Sequence, residues 1–242
     1  MGRKLHAGWL LAALLFYPLV TSAQTPKSNS VVSVRELSIP GKAQRDFDKG
    51  VELLAKKDPS ECFPLFQRAI LEFAGYYEAY YQMGVADLKL WRIADGEQAF
   101  RKANELSGEQ YAPSLLGLGA VLGYQEKFVD AEKVIRQGLA LDPASWSGHY
   151  YLGWALFGLN RLEDAEKSVR EALRLKNDSA VALQLLADIH SRQQNYRALV
   201  DDLDAYLKLD STSPTGIRAR ALRDTAQRLV RESENTTALA LH

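Results

Sequence analysis

The chain has 242 residues, of which 47% are hydrophobic, and its 30 basic residues balance its 30 acidic residues. A nucleic-acid-binding protein is expected to show a clear basic excess, so this composition argues against that class. The hydrophobic fraction is large enough for a continuous core.

Residues 1–23 have the pattern of a secretory signal peptide. Arg3 and Lys4 supply the positive start, an apolar stretch of 14 residues follows at 7–20, and small residues end at Ala23, after which we expect cleavage. An uncleaved membrane anchor is the alternative, although a bilayer span needs ~20 apolar residues. We therefore expect an exported protein, periplasmic or secreted and of bacterial origin, with no stable membrane span after signal removal.

Residues 24–42 are rich in Ser, Asn, Pro and Lys, which is typical of a linker. A short apolar patch interrupts this composition at residues 31–39. The patch is expected to dock on a neighbouring surface.

From residue 43 to residue 213, small residues recur at a nearly constant step. The steps are 34, 35, 34 and 34 residues in the column Gly50, Gly84, Gly119, Gly153 and Ala187. A bulky column keeps the same phase: Phe66, Phe100, Ile135, Val169 and Leu203. This period indicates stacked helix–turn–helix units, and small residues where helices cross allow their backbones to approach closely.

The columns give the chain a resemblance to tetratricopeptide-repeat (TPR) proteins. The fourth unit carries it most clearly, through Trp146, Tyr150, Leu152, Gly153, Leu156, Ala165, Val169 and Ala172. The resemblance implies an all-α fold, a right-handed α-solenoid whose inner face is lined by the first helix of each pair. Five repeats are predicted, at 43–76, 77–110, 112–145, 146–179 and 180–213.

Beyond the repeats, Pro214 suits the first turn of a helix. We predict a capping helix at 214–231, which would cover the last exposed apolar face of the array. Residues 232–242 are predicted to be a flexible tail.

A second stripe on the first helices is expected to face the inner groove. Its strongest members are apolar or aromatic: Tyr81, Val85, Leu88, Tyr124, Tyr150, Trp154 and Phe157. In the fifth repeat the stripe becomes polar, at Gln184, Asp188 and Ser191. Relatives that bind a terminal carboxylate use Lys, Asn and Arg here, so we expect a protein or peptide partner with an apolar or amphipathic segment. Two alternatives stay open: part of the stripe is ordinary core, or the patch at 31–39 fills the groove.

Residues able to support catalysis are scattered in the sequence. His149 and His190 fall in different repeats, and Cys62 lies in a column of small residues, where burial is expected,. Asp201, Asp202 and Asp204 are expected to form a solvated face. We therefore predict a chain that is not an enzyme, with no catalytic residues, no cofactor and no metal site.

These observations together predict an exported, non-enzymatic scaffold for protein–protein interaction in a cell-envelope or secretion assembly. The alternative is an accessory subunit that docks an envelope enzyme, such as polysaccharide or cell-wall machinery.

Overall fold

The computed structural model describes residues 38–56 and 58–240, and every regular element within these ranges is a helix. The all-α prediction is therefore confirmed. The predicted signal peptide and residues 24–37 of the predicted linker lie outside the described residues. Within the described part of the chain, no helix is both long and apolar enough to cross a membrane.

The described residues fall into two compact units, one ending at Tyr151 and the other beginning at Leu152. In the first unit, α1 packs on α2, α3 on α4 and α5 on α6. A short 3-10 helix, Pro59–Cys62, leads into α2. The helices are α1 (Gly41–Lys56), α2 (Phe63–Glu72), α3 (Tyr77–Lys89), α4 (Ile93–Ser107), α5 (Ala112–Tyr124), α6 (Phe128–Leu141) and the beginning of α7 (Trp146–Gly158).

The second unit contains the end of α7 and four further helices. In it, α9 packs on both α8 and α10, and α10 packs on α11. These helices are α8 (Leu162–Leu175), α9 (Ala180–Arg192), α10 (Tyr196–Leu209) and α11 (Pro214–Ala240).

The glycine column and the bulky column meet directly. A Cβ on Gly84 would lie 2.8 Å from the Phe100 ring, and one on Gly119 would lie 2.3 Å from Ile135 Cγ1. In the second unit, a Cβ on Gly153 would lie 2.5 Å from Val169 Cγ2. These separations leave no room for a methyl group, so each glycine allows the first helix of a pair to rest on the bulky side chain of the second.

The turn inside four of the helix pairs contains a left-handed residue that is not glycine. These residues are Trp91, Glu126, Asn160 and Gln194, with φ of 59–60°. In the second unit, Asn160 N–H donates to Phe157 O at 3.0 Å and Arg161 N–H donates to Leu156 O at 2.9 Å. Equivalent bonds occur in the other three turns, so the turn satisfies carbonyl groups that the helix end leaves without partners.

The last helix begins as the sequence predicts and ends later. Ser213, which directly precedes Pro214, caps α11: its hydroxyl oxygen accepts a hydrogen bond from Gly216 N–H at 3.1 Å. Ala219 and Ala226 of α11 are fully buried in the core of the last repeat. A flexible tail was predicted at 232–242, but α11 continues to Ala240. Residues 232–240 contain neither Gly nor Pro, so no helix-breaking residue follows the predicted end at 231.

Candidate binding surface

The seven predicted groove residues lie on the first helices of their pairs, in two different units. The first unit contains Tyr81, Val85 and Leu88 on α3, Tyr124 on α5 and Tyr150 on α7; the second contains Trp154 and Phe157 on α7. Their exposure divides them into two classes. The half-buried members are Tyr81, Tyr124 and Trp154, and the buried members are Val85, Leu88, Tyr150 and Phe157. Their role in binding a partner stays a prediction.

Aromatic rings pack closely around the half-buried tyrosines of the first unit. The Tyr81 ring lies 5.8 Å from that of Phe100 and 5.5 Å, edge-on, from that of Tyr111. The Tyr124 ring meets the edge of the exposed Trp91 indole at 5.8 Å. Such ring contacts favour particular orientations of the aromatic side chains, which lowers the entropy lost when a partner binds.

A buried tyrosine that sequence reasoning missed lies beside Tyr150. The Tyr151 ring packs edge-on against Tyr150, with ring centres 5.3 Å apart. Its hydroxyl is buried without a hydrogen-bond partner, and burial raises the pKa of Tyr151 well above its ordinary value. The hydroxyl is close enough to Tyr124 and Tyr81 for their charges to influence it. The two adjacent aromatic residues at 150–151 are the feature of the sequence that could have indicated this tyrosine.

In the second unit, Phe157 forms a contact with a positive charge. The guanidinium of Arg192 lies 4.0 Å from the centre of the Phe157 ring, a cation–π distance,. Arg192 Nη1 also donates a hydrogen bond to Phe157 O at 3.3 Å. Through these two contacts, the exposed end of α9 packs against the end of α7.

The predicted polar end of the stripe is buried in the last repeat. Gln184, Asp188 and Ser191 are respectively 6%, 0% and 5% exposed. Both carboxylate oxygens of Asp188 and the Ser191 hydroxyl are without hydrogen-bond partners. Burial raises the pKa of Asp188 to about 8, and the nearby charge of Arg192 opposes this only in part.

Next to this stripe, Asp202 departs from the predicted solvated face. It is buried and accepts a hydrogen bond from Nδ1 of His190, while Nε2 of His190 lies 3.3 Å from Glu166 Oε1. Burial lowers the pKa of His190, but the two carboxylates outweigh it and raise the pKa above its ordinary value. Both ring nitrogens are occupied, so the imidazole joins α8, α9 and α10 and has no nitrogen left to act as a base.

Cys62 is fully buried, as predicted. Its pKa is raised to about 11, chiefly by burial, so the thiol stays protonated at neutral pH,. Within the described ranges, no group of three His, Cys, Asp or Glu side chains could hold a metal ion.

A groove of the first unit lies away from the predicted stripe. It has a volume of about 690 Å³ and lies between α4, α5 and α6. Leu118 and Leu122 form part of its lining together with Arg101, Lys133 and Asp130. Because the lining carries both positive and negative charges, it does not indicate a particular class of ligand.

Comparison with known proteins supports the architecture. Residues 124–189 match the tetratricopeptide repeat family model. The structure of TTC0263, a thermophilic TPR protein of Thermus thermophilus, superposes with a TM-score of 0.63 at 18% identity, covering 76% of this chain and 98% of that one. This chain has the TPR fold. The structure of YrrB, described as a TPR protein with an unusual peptide-binding site, has a TM-score of 0.56 at 16% identity, covering 74% of this chain and 92% of its own.

A similarity in sequence also reaches a curated protein. The chain is 30% identical over 127 residues to the transcriptional regulator HilA of Salmonella typhimurium. The match covers 51% of this chain and 22% of HilA, so the chain spans about a fifth of that regulator's length. Proteins with the TPR fold generally serve as scaffolds that bind peptides or other proteins.

Proposed function

We propose that this chain is an exported, non-enzymatic scaffold that binds a protein or peptide partner through the aromatic residues of its first helices. The expected partner presents an apolar or amphipathic segment, and the expected setting is a cell-envelope or secretion assembly. The peptide-binding site named for YrrB is compatible with this proposal.

The observation that carries the proposal is the contrast between first and second helices. The second helices expose charged residues that pair one turn apart, such as Glu132 with Arg136 at 2.8 Å in α6. The first helices instead leave the aromatic side chains of Tyr81, Tyr124 and Trp154 partly exposed. Aromatic side chains of this kind supply much of the binding energy at protein interfaces, because they combine a large apolar area with few rotatable bonds.

Burial decides which anchor is suitable for a test. Tyr150 is only 3% exposed, so its removal would leave a cavity and confuse binding with stability,. Trp154 is half-buried, and replacing it with alanine should lower partner affinity tenfold or more, since anchors of this type contribute about 2 kcal/mol. Val129→Ala is the matched control, because Val129 is 69% exposed on a second helix.

The experiment is a pull-down from an envelope fraction with wild-type, Trp154→Ala and Val129→Ala chains. A specific partner should be retained by the wild type and the control and lost with Trp154→Ala, and a synthetic peptide of its apolar segment should bind the wild type directly. Equal retention by all three chains would contradict the proposal. Thermal unfolding separates this result from misfolding, since unfolding of Trp154→Ala would instead place Trp154 in the core.

Export is tested independently of binding. The full-length gene product should be recovered from the periplasm or medium with an amino terminus at Gln24. Recovery only from the cell interior with residues 1–23 intact would contradict export and leave the binding test unaffected.

A further inference from the structure

The buried polar end of α9 holds two polar side chains without hydrogen-bond partners. Asp188 is fully buried, and neither of its carboxylate oxygens has a hydrogen-bond partner. Ser191 lies three residues later on the same helical face, and its buried hydroxyl is also without a partner,. Burying such groups without hydrogen bonds destabilises a protein, so their presence together requires an explanation.

The nearest cation of the same helix does not hydrogen-bond to these groups. Arg192 follows Asp188 by four residues, a spacing that favours an ion pair on a helix. Its guanidinium lies instead over the Phe157 ring at 4.0 Å and donates to Phe157 O. The two carboxyl oxygens of Asp188 and the Ser191 hydroxyl therefore stay without hydrogen-bond partners in the second unit.

We propose that Asp188 and Ser191 form a binding site for a guanidinium group, supplied by an arginine side chain of the partner. The inference rests on the proposed partner-binding function and gives the chemistry of one contact. A planar guanidinium donates two parallel N–H···O bonds to a carboxylate, which would satisfy both oxygens of Asp188. A further N–H can reach the Ser191 hydroxyl.

Entry of the guanidinium requires a local rearrangement, because Asp188 is buried in the free chain. Arg192 is exposed and lies one turn away, so movement of its side chain off the Phe157 ring is the opening step of the proposal. Arg192 carries the same charge as the incoming group. Its removal should therefore maintain or strengthen binding.

The charge state of the free site agrees with this assignment. Burial raises the pKa of Asp188 to about 8, and Arg192 is the charged group of the described chain that acts on it. At pH 7 the carboxyl is therefore mostly protonated until a cation arrives. Binding of a guanidinium favours the carboxylate, and the proton passes to solvent.

The test titrates the full ¹⁵N-labelled chain with butylguanidinium and follows the amide signals of residues 184–192 by NMR. Butylurea has the same shape without the charge and serves as the matched ligand, while butylammonium supplies the charge without the planar fork. We expect butylguanidinium to bind about tenfold more tightly than butylurea, because charge-assisted bonds exceed neutral ones by this order. It should also bind more tightly than butylammonium, whose point charge lacks the planar fork that pairs with both carboxylate oxygens.

Three variants locate the binding. Asp188→Asn should abolish the preference for butylguanidinium, Ser191→Ala should weaken it about threefold, and Asp201→Asn, which removes an exposed carboxylate of α10, should leave it unchanged,. Ser191→Ala keeps the test available should Asp188→Asn fail to fold. Equal affinity for the three ligands, absence of binding, or a preference that survives Asp188→Asn would overturn the assignment. None of these results depends on the pull-down with Trp154→Ala, so the two proposals fail separately.

Discussion

Replacing Asp188 with asparagine should make the chain more stable at neutral pH and change how its stability depends on pH. The pKa of Asp188 is about 8 in the folded chain, against an ordinary value of 3.8. Each unit of difference corresponds to about 1.4 kcal/mol, so keeping this group buried at pH 7 costs about 4 kcal/mol of unfolding free energy.

The sign follows from proton binding. The folded chain holds a proton on Asp188 that the unfolded chain releases once the pH exceeds 3.8. The stabilising contribution of the protonated group is fully present below that pH, is lost as the pH rises towards 8, and then stays constant. Asparagine cannot titrate, so the stability difference between variant and wild type should grow by about 3 to 4 kcal/mol between pH 5 and pH 8.

Urea unfolding of both chains at pH 5, 6, 7 and 8 measures this difference. The raised pKa of His190 also makes stability fall above neutrality, but it is present in both chains and cancels in the comparison. Asp201→Asn is the control, because it removes an exposed carboxylate from the neighbouring helix. Parallel stability curves for wild type and Asp188→Asn would refute the reasoning, because burial would then impose no penalty on the charged form.

Three further experiments test the packing. Gly153→Ala should destabilise the chain by about 1–3 kcal/mol through overlap with Val169, and Val169→Ala in the same chain should recover part of the loss; additive losses in urea unfolding would contradict the contact. Asp202→Asn should lower the pKa of His190 in an NMR titration and cost about 3 kcal/mol, whereas an unchanged His190 pKa would show that the pair does not form. Cys62 should react with a thiol reagent only as fast as the chain unfolds, and rapid labelling of the native chain would disprove its burial.

The sequence predicts the repeated architecture well because the helix crossings impose chemistry at every step. Gly84 and Phe100 belong to different columns, and the structure shows why both are needed: the ring occupies the space that a glycine leaves. The period therefore records a physical contact between two helices of one pair.

The exposure of the inner stripe was harder to predict. Val85 and Tyr81 follow the same helical spacing, yet one is buried and the other half-buried. Helical spacing identifies a face, and it does not determine how closely a neighbouring helix approaches that face.

Pairs between helices were not predictable from spacing along one helix. Asp202 belongs to a run of acidic residues that resembles a solvated face, and its partner His190 lies twelve residues earlier on another helix. Only the packing of α9 on α10 brings the two together. Asp188 is also fully buried, and its neighbours in sequence give no indication of its missing hydrogen bonds.

The one irregular step of the array shows where the chain can change its length. The extra residue falls after α4, where Gly108 and Glu109 are consecutive left-handed residues with φ of 61° and 60°. The turns between pairs at 142–145 and 176–179 have no such residue. An added residue inside a helix would rotate every later side chain by about 100° around its axis. Because the extra residue lies in a left-handed turn between two helix pairs, the next glycine still lies opposite its bulky partner. Single residues can therefore be inserted in such a left-handed turn while the helices keep their alignment.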